Sequence, residues 1–195
     1  MAGGGPVTAD VDDGTLAIRA ADGDVAAFEM LLRRYSDRVF GLALRMVGDR
    51  GEAEDIAQEV FVTAWRRMAE LADPGAVRTW LFRIAHRQCL GVLRRRRDRR
   101  TDPVEALPET AGTAVGVGTA AGDPARLAEA GAGVEALRRA LAGLPPSQRA
   151  VWLLAEVDGL SYAEIAAVVG SSEQAVRGRL SRARARLAEV MRAWR

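Results

Sequence analysis

Lysine is absent from this 195-residue chain: all 28 of its basic residues are arginine. Arginine forks onto phosphate and guanine, which would favour a nucleic-acid partner. A GC-rich coding sequence accounts for the same bias together with the abundant Ala, Gly and Val, and is the simpler explanation. Cysteine and histidine occur once each, as Cys89 and His86. A single cysteine excludes an intrachain disulfide and a multi-cysteine zinc site. Cys89 and His86 share one helix and leave a tetrahedral site incomplete, so no metal or other cofactor is expected. Cys89 falls in register with Leu81, Ala85 and Val92, which reads as a small buried residue. Aromatics make up 5% of the chain, so its cores must be built from Leu, Val, Ile and Ala. No apolar run approaches the roughly 20 residues that span a bilayer. The N-terminus lacks the basic-then-apolar layout of a signal peptide. The expected compartment is the cytoplasm, without membrane insertion. No nucleophile–base pair or two-metal cluster of carboxylates is legible, so the chain does not read as an enzyme.

What is present is segregated charge. The net charge is +2, yet residues 77–100 hold nine arginines and one aspartate, and residues 173–195 seven arginines and two glutamates. Residues 1–32 and 101–135 are each net −5. Two basic segments separated by an acidic one point to two contacts with a polyanion.

Periodicity predicts an all-α fold of two small helical domains joined by a flexible acidic linker. Residues 1–14 are Gly- and Asp-rich and read as a disordered N-terminus. The first domain, 15–100, opens with a stripe of Phe28, Leu31, Leu32, Tyr35, Val39 and Leu42. After a turn at Gly48–Gly51, a helix over about 52–68 places Ile56, Val60, Phe61, Ala64, Trp65 and Met68 inward. Asp55, Gln58 and Glu59 are left on one polar stripe at i, i+3 and i+4. A break at Ala72–Gly75 precedes a long helix over about 77–97, with Trp80, Leu81, Ile84, Ala85 and Val92 inward and Arg94–Arg97 at its end. Residues 101–133 lack a sustained period and read as the linker, with room for a helical turn near Ala125–Glu129. The second domain, 134–195, resumes at Val134, Leu137, Leu141 and Leu144, and Pro145–Pro146 starts a further helix.

That second domain ends in a helix-turn-helix pattern. Ser161 and Glu164 have capping-box spacing, and Leu160 and Ile165 occupy the positions of a hydrophobic staple. Gly170 suits a left-handed stop, and Ser172 or Ser171 can cap the second helix of the pair. In that helix Val176, Leu180, Ala183 and Leu187 form one apolar stripe, with Arg177, Arg179, Arg182, Arg184 and Arg186 on the remaining faces. A capped short helix, a tight turn and a basic second helix are how a recognition helix is offered to the major groove.

Several blocks resemble a known family. Asp55-Ile56-Ala57-Gln58-Glu59-Val60-Phe61 with Trp65, and Thr79-Trp80-Leu81-Phe82-Arg83-Ile84-Ala85 with its Arg-rich tail, are similar to region two of extracytoplasmic-function sigma factors of bacterial RNA polymerase. Leu144–Arg149, Gly159–Ala166 and Val176–Arg184 resemble region four of the same family. The resemblance implies a chain that binds core polymerase and directs promoter-specific initiation. It assigns Asp55, Gln58 and Glu59 to the polymerase. The loop over residues 70–78 corresponds to a site for a base flipped out of the minus-ten element, and Arg83, Arg87 and Arg94 to contacts with that element. Trp80 is either a core anchor or a stacking platform. In the minus-thirty-five element the helix from Ser172 to Arg186 would sit in the major groove, with Glu173, Gln174, Arg177 and Arg179 near base edges and Arg149, Arg182 and Arg184 on phosphates. An anti-sigma factor is the expected regulatory partner. The linker would pass near the RNA path or act as a solubilising tether. Arg87, Gly91, Ser171, Ala175 and Gly178 depart from residues common in the family and leave the promoter sequence open. A free-standing helix-turn-helix regulator is the alternative; it would need a dimer interface or ligand pocket, for which no segment is evident.

Overall fold

A computed structural model of the protein describes residues 11–101 and 124–193. The first ten residues of the expected disordered terminus, and residues 102–123 of the expected linker, lie outside the described residues. The described elements are helical: α1 (Asp13–Ala21), α2 (Val25–Val47), α3 (Arg50–Arg67), α4 (Val77–Thr101), α5 (Pro124–Ala142), α6 (Pro146–Glu156), α7 (Tyr162–Val169) and α8 (Glu173–Ala193). Single-turn 3-10 helices cover Met68–Glu70 and Pro74–Ala76.

Local chemistry sets most boundaries. Asp12 caps α1, accepting from the Thr15 N–H at 3.0 Å and the Thr15 hydroxyl at 2.6 Å. Asp24 caps α2 and Asp49 caps α3, each through its carboxylate. Gly48 ends α2 at φ 78°, a left-handed conformation that favours glycine. At the break between α3 and α4, Asp73 accepts from the Gly75 N–H at 3.0 Å.

Two boundaries differ from expectation. Helix α1 begins inside the segment expected to be disordered, because it is capped and also tied down. Asp13 accepts from Arg34 at 2.7 Å and from the Tyr35 hydroxyl, while Leu16, Ala17 and Ala20 are buried. Helix α5 begins inside the expected linker, at Pro124, a residue suited to a first helical position and followed by good helix formers.

In the first domain α1, α2, α3 and α4 pack together, with Leu31, Val39, Met46, Val60, Leu81 and Phe82 among the most buried side chains. In the second, α8 packs on α5, α6 and α7 around Leu153, Leu154, Ile165 and Leu180. The domains are not merely tethered. Helix α7 lies against α4, α6 and α5 touch α2, and the buried apolar residues from Leu16 to Leu187, Ala136 apart, form one continuous cluster.

Candidate nucleic-acid interface

The helix-turn-helix is built as its sequence proposes. The Ser161 hydroxyl accepts from the Glu164 N–H at 3.3 Å, and the Glu164 carboxylate accepts from the Ser161 N–H at 2.7 Å. The Ser161 hydroxyl also donates to the Glu164 carboxylate at 2.7 Å, and this bond, followed by that from the Ser161 N–H, holds the Glu164 carboxyl below the usual carboxylate range. Leu160 and Ile165 are both buried, and Gly170 stops α7 at φ 64°. Ser172 caps α8, its hydroxyl accepting from the Ala175 N–H at 3.2 Å. Val176, Leu180, Ala183 and Leu187 are all buried. At about 100° per residue, the face opposite that stripe carries Gln174, Gly178 and Arg182. One flank carries Glu173, Arg177 and Arg184; the other carries Arg179 and Arg186.

These side chains are not equivalent. Glu173, Gln174, Arg182 and Ser172 are exposed. Arg177 is exposed but stands 3.5 Å from Glu173 and 5.4 Å above the Tyr162 ring. Arg184 pairs with Glu156 at 2.6 Å, so it ties α8 to α6 as well as facing solvent. Arg179 is half-buried and close enough to His86 of α4 to disfavour its protonation. Arg149 departs most from its expected role as a phosphate contact. It is buried, donating to the Met46 carbonyl at 2.5 Å, to Ala142 at 2.5 Å and to Leu144 at 3.1 Å. It lies on the inward face of a helix packed against α2, where burial pulls its pKa down.

On α4 the candidates also divide. Arg87 and Arg94 are exposed, and Trp80 is half-buried against the core, a placement that suits an anchor. Arg83 is turned into the second domain, its Nε donating to the Ala167 carbonyl at 2.9 Å. Arg96, from the tail read as a cationic run, donates to the Val47 carbonyl at 2.8 Å and pairs with Glu52 at 3.0 Å. His86 is 6% exposed. Burial, then the nearby cations of Arg179 and Arg87, pull its pKa down to about 4. Cys89 is fully buried, and burial pushes its thiol up to about 12, so it is chemically quiet. No cluster of three or more metal-ligating residues occurs among the described residues. No described helix is long and apolar enough to cross a membrane.

Asp55, Gln58 and Glu59 are exposed together on α3. Beside them lies a feature that sequence reasoning missed. Phe28, Leu32 and Phe40 of α2 and Phe61 and Trp65 of α3, with Gln58 at the edge, line an open apolar groove of about 580 Å³. Two residues expected to face inward form its rim: Leu32 is 37% exposed and Trp65 39% exposed. Trp65 packs on Phe28 with ring centroids 5.0 Å apart. Helices α2 and α3 bury only the centre of each stripe, so residues at the stripe edges stay on the surface. The excess width of the two apolar stripes was the available signal.

Comparison with known proteins agrees with this architecture. The family model of Sigma-70 region 2 matches residues 31–99, and that of Sigma-70, region 4 matches residues 134–187. The ECF RNA polymerase sigma factor SigE of Mycolicibacterium smegmatis is 36% identical over 178 residues, spanning 90% of this chain and 66% of that protein. The ECF RNA polymerase sigma factor SigM of Mycobacterium tuberculosis is 32% identical over 179 residues, covering 92% of this chain and 84% of the relative. Among solved structures, CnrH in complex with the cytosolic domain of CnrY matches with a TM-score of 0.66 and 30% identity, over 93% of this chain and 97% of that one. With both domain models in the expected order and SigM matched over most of its length, the chain belongs to the family of ECF RNA polymerase sigma factors.

Proposed function

We propose that this chain docks on bacterial core RNA polymerase and gives it promoter selectivity, with α4 engaging the minus-ten element and α8 the minus-thirty-five element. The observation that carries this reading is α8 itself. Its apolar stripe is buried, its start is capped by Ser172, and Glu173, Gln174, Arg177 and Arg182 project outward, in the same chain as the region-two helices. Gln174 can fork to adenine and Arg177 to guanine. Arg182 and Arg184 would grip phosphates and set register without reading sequence.

Asp55, Gln58 and Glu59 offer a polymerase surface that joins acidic groups to an apolar groove, a pairing suited to a basic amphipathic helix. On α4, Arg87 and Arg94 face solvent and would meet the minus-ten strand first, with Arg83 joining once it leaves Ala167. A base extruded toward the 3-10 turn at Pro74–Ala76 would offset the few kcal/mol of unstacking. Chemistry on nucleotides would belong to the polymerase. The likeness to CnrH, solved with the cytosolic domain of a second protein, supports a protein inhibitor of the anti-sigma kind acting in the cytoplasm.

Run-off transcription with purified core polymerase on a promoter library tests the reading. Promoter-selective transcripts are expected only when the protein is added. If core is neither bound nor redirected, and the protein footprints DNA alone, a free-standing regulator replaces it.

A further inference from the structure

Tyr162 is the first residue of α7, and the capping box of Ser161 and Glu164 fixes where that helix begins. Its side chain stays exposed although α7 packs on α8. Two arginines of α8 meet it there. The Arg177 guanidinium stands 5.4 Å over the Tyr162 ring and 3.5 Å from the Glu173 carboxylate. Arg184 pairs with Glu156 at 2.6 Å. That pairing first, and the nearby Tyr162 hydroxyl after it, favour the charged form of Arg184. Seven residues apart, Arg177 and Arg184 share one face of α8, roughly 10 Å from each other along its axis.

A guanidinium that forks onto a base edge must give up the freedom of a long side chain, which weakens binding. Arg177 has given up part of that freedom before DNA arrives. Glu173 lies one turn toward the start of α8, the end of a recognition helix that enters the groove deepest. An ion pair on a solvated helix face orients little by itself. The Tyr162 ring supplies a second point of attachment, from a different helix. The Arg177 side chain is still 64% exposed, so the stack orients it without covering it. We propose that Tyr162 is a positioning residue for sequence readout: its ring holds Arg177 toward a guanine edge in the minus-thirty-five element and touches no base itself. That α8 enters this element rests on the function proposed above. Specificity is then set partly from the first helix of the pair, the one that crosses the DNA backbone.

The test uses holoenzyme assembled from core polymerase and the full chain, on the promoter that the wild type selects. Each minus-thirty-five position is changed to the other three bases, and the promoters compete in one run-off reaction. Transcript ratios then give the base preference at every position. The single variants are Arg177→Gln, Tyr162→Leu, Tyr162→Gln and Tyr162→Phe, and Tyr162→Leu is also combined with Arg177→Gln. Helicity by circular dichroism establishes that each variant is folded, and two ringless variants cover the failure of either one.

Arg177→Gln is expected to lose the preference for guanine at one position. Tyr162→Leu and Tyr162→Gln should lower that same preference about threefold, the size of an exposed cation–π contact, and leave other positions unchanged. Tyr162→Phe keeps the ring and should restore the preference. The double variant should match Arg177→Gln, because a ring with no arginine to hold adds nothing. An equal loss at every position would make Tyr162 a structural or phosphate-contacting residue and overturn the proposal. So would a loss in Tyr162→Phe as large as that in Tyr162→Leu, or a double variant less selective than Arg177→Gln. Promoter-selective transcripts whose base preferences the ringless variants leave unchanged remove the stack and keep the function. No selective transcripts from the wild type remove the function, and the proposal with it.

Discussion

Helices α4 and α8 are both arginine-rich, and both match regions to which the family resemblance assigns DNA contacts, yet they present their cations differently. In α8 one narrow stripe is buried, and Gln174, Arg177, Arg182 and Arg184 remain on the surface. In α4 the surroundings reach further: α1, α2 and α3 pack on it within its own domain, and α7 covers part of what is left. Arg83 and Arg96 consequently bond carbonyls, while Arg87 and Arg94 face solvent. Amphipathic spacing identifies the side a helix must bury. It does not show whether a second element will take the remaining side.

The largest effect that would sharpen this contrast concerns Arg149 against Arg182. Arg149→Met removes the donor to three carbonyls, and at ~1–3 kcal/mol per unmet buried acceptor, less the desolvation recovered, it should destabilise the chain by about 3 kcal/mol. Urea unfolding measures it, and a loss near zero would mean that the guanidinium is not held as described. Arg182→Gln should shift stability by less than ~0.5 kcal/mol. Its effect should appear in duplex affinity, lowering the salt slope by about one. A variant that unfolds instead would show that Arg182 does not lie on an open face.

His86 provides a pH test of the buried side of α4. Its folded pKa is pulled down to about 4 from 6.5, so the unfolded chain binds more protons between those values. Stability should therefore fall as pH drops through 6.5 toward 4, and the loss ends once the folded state also protonates. At 1.36 kcal/mol per unit, the full contribution is about 3 kcal/mol. Asp158 works in the opposite sense at the acid end, because burial raises its carboxyl and protonation relieves a buried charge. Denaturation midpoints for the wild type and His86→Gln across pH 4–8 would separate the two. Equal pH slopes would place His86 in solvent.

Smaller still is the cap of the helix-turn-helix. Ser161→Ala deletes the oxygen that accepts from the Glu164 N–H and should cost about 1 kcal/mol, with Ser161→Thr retaining most of it. Thermal melts decide this; indistinguishable midpoints for wild type and alanine would mean that the capping box contributes nothing measurable.

The second domain was the more legible of the two in the residues alone. Its signals act within a few positions: Ser161 with Glu164, Gly170 at a left-handed stop, and Val176, Leu180, Ala183 and Leu187 one turn apart. The first domain was readable as helices, and Cys89 as a buried small residue. Leu32 and Trp65 were misplaced because the width of a buried stripe depends on how closely a neighbouring helix approaches. The starts of α1 and α5 were misplaced for a related reason. Asp13 is held by Tyr35 and Arg34, residues remote in sequence. Helix α5 begins where composition looked like linker.

What the sequence determined by itself was every feature whose physics is local: helices and their caps, the stop at Gly170, the inward stripe of α8, and the segregation of charge. Family membership was also legible there, since its blocks are contiguous. Only the tertiary structure decided which arginines face solvent and which bond carbonyls, that two apolar edges meet as a groove beside Gln58, and that the domains share one core. Those outcomes depend on partners far along the chain, such as Arg149 with Met46 and Arg83 with Ala167. A guanidinium meets its need for an acceptor equally well on water, phosphate or a helix-end carbonyl, and the fold chooses among them by proximity.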